Sequence, residues 1–582
     1  MSEHDPTPIV PSVRPARVAQ AIALAIIVVV PSLYSFRFMS FMDSKWAGLA
    51  VGLALLAIAA PPKRAAPFAR FRLLGPISGI LVSGFLMVLF SGDASSLDVA
   101  STAFWYGILI VLAASLLQRN ASTLSVLGAI AFSSVPVSLL ALPQYARLLP
   151  AMFPDFPDYG QRMYSVFGNQ DLLGGYVALG LVLAFALWLE GRLSHPLAFM
   201  IFAAAGPTLL LSGSRSAWLA AMLGVGVAVA QGRVGRKKIA LFLGASFGMI
   251  ALCVAIAPDA TWGRLINTFA AGDTGFRIRL WIWDGTLRLI SQHPLGVGLG
   301  NFAYHSPRAL GEVLHDRGPG VHVFNHIHTQ HAHSDILEIV AETGVVGLIL
   351  LLLFLINIPR RPSAAWPALA AAFTFSSINT TLHSPPHVLA VLLLAISITD
   401  DPAPQLSDSS GQWWGRVAQA AFYIWMAIAC TVYPLRASAA HAKARAFYEA
   451  GDSRAREAYE EASISNPAAR LELATIHANE GREWEAVAES HFAAYGLDTG
   501  ELYYLQAYLA ERLAQPESAK FYRECLVRWP DHTPAYAGLL RTSPAAERDA
   551  ILREAQRWVS PTGYATLTET PSQRPAATPV QP

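Results

Sequence analysis

The sequence predicts an all-α protein. It reads as a polytopic membrane helical bundle of about 12–14 spans with a long extracytoplasmic loop, followed by a soluble α-helical repeat domain. Three observations predict this. Of 582 residues, 53% are hydrophobic and only 14% charged, against about 25% charged in an ordinary soluble domain. The apolar residues gather into thirteen runs of roughly the length that crosses a bilayer, and mean hydropathy is +0.39. After about residue 437 charge becomes dense and apolar residues recur at helical spacing. The same figures exclude a disordered chain and a purely soluble enzyme. A formal net charge of +2 provides no field to draw nucleic acid. Cys253, Cys430 and Cys525 lie too far apart for a disulfide framework or a zinc knuckle.

Residues 1–15 are polar and Pro-rich and are expected to be disordered. The membrane domain is expected over 16–436. Its first run, 19–34, follows Arg14 and Arg17 like a signal peptide. It lacks a small-residue cleavage site after Pro31, so it reads as an uncleaved helix. Further runs lie near 45–60, 73–91, 100–117, 123–142, 170–189, 197–212, 216–230, 239–257, 335–357, 365–379, 386–399 and 415–434. Basic residues cluster in the loops at 61–72, 231–238 and 359–362, which helix counting puts on one side, the cytoplasmic one. The loop at 258–334 then falls outside, with 143–169, the 213–215 turn and 379–387. With thirteen spans the tail is outside too.

The tail, 437–566, carries a weak repeat. Ala455, Ala486 and Ala519 stand 31 and 33 residues apart, with Pro467 and Pro530 at turn positions. The tetratricopeptide period is 34, so the segment resembles degenerate repeats of that kind and reads as a docking module for a protein partner. Residues 567–582, rich in Pro, Thr and Gln, read as a disordered end.

The chemistry concentrates in the outside loop. It holds Arg277, Arg279, Trp281 and Trp283, then Pro294 with Gly296, Gly298 and Gly300, and ends at His333-Ser334-Asp335 with Glu342 and Gly344 beyond. The pattern R-x-x-x-W, then P-x-G-x-G, then H-[NS]-x-x-L-x-x-x-x-E-x-G entering a helix resembles the O-antigen ligase/polymerase superfamily, over about residues 160–400. Gly168-Asn169-Gln170 and the Ser214-Arg215-Ser216 turn match further pieces. Ser334 stands where Asn is commoner. The resemblance implies a metal-independent inverting glycosyltransferase of the bacterial inner membrane, acting in lipopolysaccharide or other cell-surface polysaccharide biosynthesis. Its donor would be a polyprenyl (undecaprenyl) diphosphate-linked glycan. Its acceptor would be a lipid A-core sugar, as in a ligase, the growing glycan, as in a polymerase, or a protein, as in an O-oligosaccharyltransferase. Arg215, Arg279 and His333 would be the catalytic residues, and Arg277, Arg162, Trp283 and Asn169 would bind substrate. No cofactor is implied.

The residue types suit that chemistry. A guanidinium stays charged and grips phosphate oxygens in pairs. An imidazole accepts a hydroxyl proton near neutral pH. The bland readings are interfacial arginines anchored by Trp281 and Trp283, and His333 as an ordinary helix-start residue. Arg215, almost without a loop between two apolar runs, is costly and reads as functional. His326, His328, His331 and His333 form loose H-x-H pairs, read as mostly solvated, and no metal site is expected. His383 and His387 fall outside with an open role. Readings from other classes are a polysaccharide transporter and a non-enzymatic assembly scaffold. The singular residues sit at one membrane face, which favours surface chemistry over translocation.

Overall fold

The computed structural model describes residues 13–35, 37–60, 68–91, 97–148, 162–231, 236–263, 266, 274–318, 329–399, 413–464 and 466–568. Among them there is no strand. Each of the thirteen apolar runs lies in a helix. In chain order these are α1 (Val13–Val29), α2 (Asp43–Ala59), α3 (Phe68–Ser91), α4 (Leu97–Asn120), α5 (Thr123–Tyr145), α6 (Gln170–Leu189), α7 (His195–Leu211), α8 (Arg215–Ala230) and α9 (Arg236–Ile256). Two helices, α10 (Thr274–Gln292) and α11 (Phe302–Arg317), occupy the long loop. Then come α12 (Asp335–Asn357), α13 (Ala365–Ser376), α14 (Pro385–Ser397) and α15 (Trp413–Glu449). Seven described helices are long and apolar enough to cross a membrane, and five shorter apolar ones accompany them.

The bundle is organised around α6, which is buried from Leu173 to Leu189 without a break. It packs against α5, α7, α8 and α13. A helix apolar all round belongs at such a centre. By contrast α9 turns Leu241, Leu243, Phe247 and Ile250 outward, as a lipid-facing helix does. Lys45 on α2 is fully buried. Its ammonium donates to the carbonyls of Leu33 at 2.6 Å and Val166 at 2.7 Å. It thereby pins the turn that precedes Asn169.

The loop after α10 is stitched to α12 backbone to backbone. Val297 N donates to Ala341 O at 3.0 Å, Gly298 N to Glu342 O at 2.8 Å and Val345 N to Pro294 O at 3.0 Å. This exchange replaces helical bonds where α12 breaks at Gly344, whose φ is 64° and ψ −156°. The glycine pattern around Pro294 and Gly344 thus serves a close backbone approach. A Cβ on Gly296 would lie 2.7 Å from Gly344 N.

The composition change near 437 falls inside α15, which runs unbroken to Glu449 and is tied to α2 by Ser438 Oγ donating to Asp43 Oδ2 at 2.6 Å. Beyond it stand α16 (Ala455–Ser463), α17 (Pro467–Asn479), α18 (Glu483–Ala493), α19 (Gly500–Arg512), α20 (Ser518–Arg528), α21 (Thr533–Thr542), α22 (Arg548–Trp558) and α23 (Pro561–Thr568). Neighbouring helices pair through small residues such as Ala462, Ala469, Ala486 and Ala535, all fully buried. Asn466 and Thr499 cap α17 and α19 through their side-chain oxygens. The tail docks on α11. Gly311 lies against the Val527–Arg528 backbone, a His315 ring nitrogen is 3.2 Å from Leu526 O, and Arg308 is 3.7 Å from Glu524.

Candidate functional site

Helices α6, α8, α12 and α14 all begin at one end of the bundle, and the loop before α14 joins them there. Helix N-termini carry free N–H groups and partial positive charge, so a cluster of them favours an anion. Asn169 begins α6 as its cap, its side-chain oxygen accepting from Asp171 N at 2.8 Å and Leu172 N at 3.1 Å. Ser334 caps α12, accepting from Leu337 N at 3.4 Å.

Arg279, from α10, enters this end of the bundle. One terminal nitrogen (Nη2) reaches Asp171 Oδ2 at 3.2 Å and Asn379 Oδ1 at 3.1 Å. These two partners are fixed in turn. Asp171 Oδ1 accepts from Ser214 Oγ at 2.6 Å, and Asn379 Nδ2 donates to Ser216 Oγ at 2.8 Å. The two serines flank Arg215, the first residue of α8, so the Ser-Arg-Ser turn and Arg279 belong to one hydrogen-bonded assembly. Arg279 Nε is buried and has no partner among the described residues. A buried donor left unmade costs about 1–3 kcal/mol, which an incoming oxygen would recover.

One turn along α10, Trp283 Nε1 donates to the His333 carbonyl at 3.3 Å. His333 has φ 49°, a left-handed backbone that non-glycine residues seldom adopt. The segment around it is held from α12. Glu338 Oε2 accepts from Ala332 N at 2.8 Å, and Asp335 Oδ1 accepts from Thr381 N at 2.8 Å and Leu382 N at 3.2 Å. Burial first, then the Arg279 guanidinium and His331, push the His333 imidazole down to about 4. The ring is therefore neutral near pH 7, with no hydrogen-bond partner for it among the described residues. Such a ring keeps an open lone pair at neutral pH, and the same burial and neighbouring cation make it a weaker base than a free imidazole.

The predicted residues divide as follows. Arg279, Trp283, His333 and the Arg215 turn come together, with Asn169 capping the adjacent helix. Arg162 donates to the Gln170 side-chain oxygen at 2.8 and 3.2 Å, one residue from Asp171. Arg277, two positions from Arg279 and so near the opposite face of α10, is exposed. Asp171 and Asn379 join the site without a motif that marks them in the sequence, and so does Glu338, whose Oε1 lies 3.2 Å from His331 Nδ1 and 2.6 Å from His383 Nε2. A carboxylate next to the cap at the start of an apolar helix was the available signal for Asp171. His331, Glu338 and His383 are the described residues grouped closely enough to hold a metal ion. His326 and His328 lie outside the described residues. His387 is buried on α14, its Nδ1 2.8 Å from Ser384 Oγ.

Comparison with known proteins bears on the segment that carries most of these residues. No curated protein matches the chain. The family model described as O-antigen ligase matches residues 199–352, a segment that contains Arg215, Arg277, Arg279, Trp283 and His333 and leaves Asp171, Asn379 and His383 outside it. This all-α polytopic membrane protein therefore carries an O-antigen ligase-family domain.

Proposed function

We propose that the protein transfers a glycan from a polyprenyl diphosphate carrier to an acceptor hydroxyl at the outer face of the bacterial inner membrane. The observation that carries this reading is the buried, unpartnered Arg279 Nε at a convergence of helix N-termini beside His333. A diphosphate oxygen is the group that satisfies such a donor and such a field. Arg279 and Arg215 hold the diphosphate, with Arg162 assisting at the edge, and Asp171 and Asn379 fix the Arg279 fork; Arg277, on the other face of α10, is left out of the clamp. The acceptor oxygen attacks the sugar C1, the C1–O bond to phosphate breaks, and the diphosphate leaves with the electron pair. The hydroxyl proton passes to a His333 ring nitrogen and then to water. Attack opposite the leaving group inverts C1. Preorganised guanidinium contacts supply the charge stabilisation, and no cofactor is assigned to the step. The tail reads as a tetratricopeptide-like module that recruits the acceptor or a partner.

The test is glycan transfer in membrane vesicles with lipid-linked donor, at matched protein level. Arg279→Ala should lower transfer by about 10²–10³ and His333→Ala by about 10²–10⁴. Wild-type transfer by both variants overturns the reading and leaves transport or scaffolding. In a deletion strain, unattached polymer identifies a ligase, single repeat units a polymerase, and unmodified protein an oligosaccharyltransferase.

A further inference from the structure

Two stretches of the chain, 331–338 and the segment before α14, bring one carboxylate and two imidazoles together beside the site. Glu338 comes from the first turn of α12, His331 from the segment before it, and His383 from the segment before α14. The Glu338 side chain is 1% exposed, while those of His331 and His383 are 31% and 46% exposed. The carboxylate thus forms the floor and the two rings the open side. Glu338 Oε2 is already used by Ala332 N, which fixes the plane of the carboxylate. The other oxygen faces both imidazoles, His331 Nδ1 at 3.2 Å and His383 Nε2 at 2.6 Å, and the two rings stack with centroids 4.0 Å apart.

Two imidazole nitrogens aimed at one carboxylate oxygen can be satisfied by two N–H groups or by one cation. With two N–H groups, each takes one of that oxygen's two lone pairs, and any added proton puts positive charge on rings that stack on each other. A single ion replaces both protons and is shared by all three groups. The dimensions fit. Imidazole and carboxylate bind Zn²⁺ at about 2.0–2.2 Å, which separates tetrahedral ligands by about 3.4 Å. The three donor atoms here lie within 4.8 Å of one another, so rotations of under about an ångström at the side-chain tips reach that geometry. Two His and one carboxylate with a solvent-facing fourth position is the donor set of an open zinc site, and imidazole selects zinc and its neighbours over Mg²⁺ or Ca²⁺. The carboxylate held by a backbone N–H supplies the outer contact such ligands need.

We propose that His331, Glu338 and His383 bind one transition-metal dication, zinc by preference, with its open position toward the solvent at the mouth of the bundle. The ion ties the segment carrying His333 to the segment carrying Asn379, and so sets the separation of the two sides of the site. The assignment stands apart from glycan transfer.

The full-length protein, purified in detergent through a tag without histidines, is assayed for metal by inductively coupled plasma mass spectrometry. About one zinc per chain is expected, falling at least fivefold in Glu338→Gln and His383→Ala and unchanged in His305→Ala. Chelation of the unsubstituted protein should lower its melting temperature, and added zinc should restore it, which keeps the test independent of whether a variant folds. A folded wild-type protein that contains no metal and whose melting does not respond to added zinc overturns the proposal. So does zinc retained in folded Glu338→Gln and His383→Ala, since the ion then sits elsewhere. Both readouts are independent of transfer activity, so loss of this site and loss of the transfer reading are told apart.

Discussion

Replacing Gly344 by Ala tests the joint that supports the site. The residue sits at φ 64°, ψ −156°, a region that L side chains essentially never occupy and that costs about 1–3 kcal/mol. A Cβ there would also fall within the Leu295 carbonyl group and 2.5 Å from Pro294 O. Backbone cannot step aside as a flexible side chain does, so overlap adds about 1–3 kcal/mol. Strain and overlap together give about 2–6 kcal/mol. Separating the strands of the joint also endangers the Val297–Ala341, Gly298–Glu342 and Val345–Pro294 hydrogen bonds, each worth about 1 kcal/mol. The total is a large part of the roughly 5–15 kcal/mol that holds a domain folded. The assay is thermal unfolding in detergent together with glycan transfer in vesicles. Gly226→Ala on α8, where a new Cβ meets nothing within 4 Å, serves as control and should be neutral or up to about 1 kcal/mol stabilising. If Gly344→Ala melts with the wild-type protein and transfers glycan normally, the account of this joint is wrong.

Other substitutions separate the parts of the site. Arg279→Lys keeps the charge but loses the fork, so transfer should fall by about 10–10² in the vesicle assay while melting changes little. Trp283→Phe removes the bond to the His333 carbonyl, worth about 1 kcal/mol; a several-fold loss of turnover with unchanged donor KM is expected from steady-state kinetics. Asp171→Asn keeps the hydrogen-bonding shape but removes the charge opposite Arg279, and should weaken the response of the site to salt, read from transfer rates across ionic strength. Gly311→Leu drives a side chain into the Val527 backbone. It should release the tail from α11, seen as faster proteolysis between α15 and α20, with the membrane domain still folded.

The helices were legible because their cause is local. Each apolar run states its own burial, and all thirteen are helical. Arg279, Trp283 and His333 were legible because a spaced motif names them. Their partners were not, because Asp171 and Asn379 lie 108 and 100 residues from Arg279 and no local spacing links them. Glu338 escaped for a different reason. On α12 it reads as a first-turn acid favoured by the helix dipole, and only the fold shows two histidines from either side closing on it. The glycines near Pro294 read as a tight turn or a place for lipid to approach. In the structure they let a loop backbone lie against a broken helix, and this could not be read without knowing that α12 breaks. The two helices inside the long loop were also not foreseen, because α10 and α11 carry mixed residues that blur into the surrounding polar stretch.

The helix directions fix how the tail relates to the site. α7 ends where α6 and α8 begin, since Met163 N donates to Leu211 O at 3.1 Å. α12 and α14 start at that end, and α13 finishes there at Ser376, just before Asn379. Continuing the alternation, α14 leaves that end and α15 returns to it, carrying the tail back toward the site. The docking is consistent with that direction, because α11 touches both parts. Its residues Phe302 and Ala309 pack with Leu289, Ala332 and Ala341 around the His333 segment, while Gly311 and His315 meet α20. One helix therefore has the His333 segment on one flank and the tail on the other. The tail thus stands at the end of the bundle where Arg279 and His333 lie.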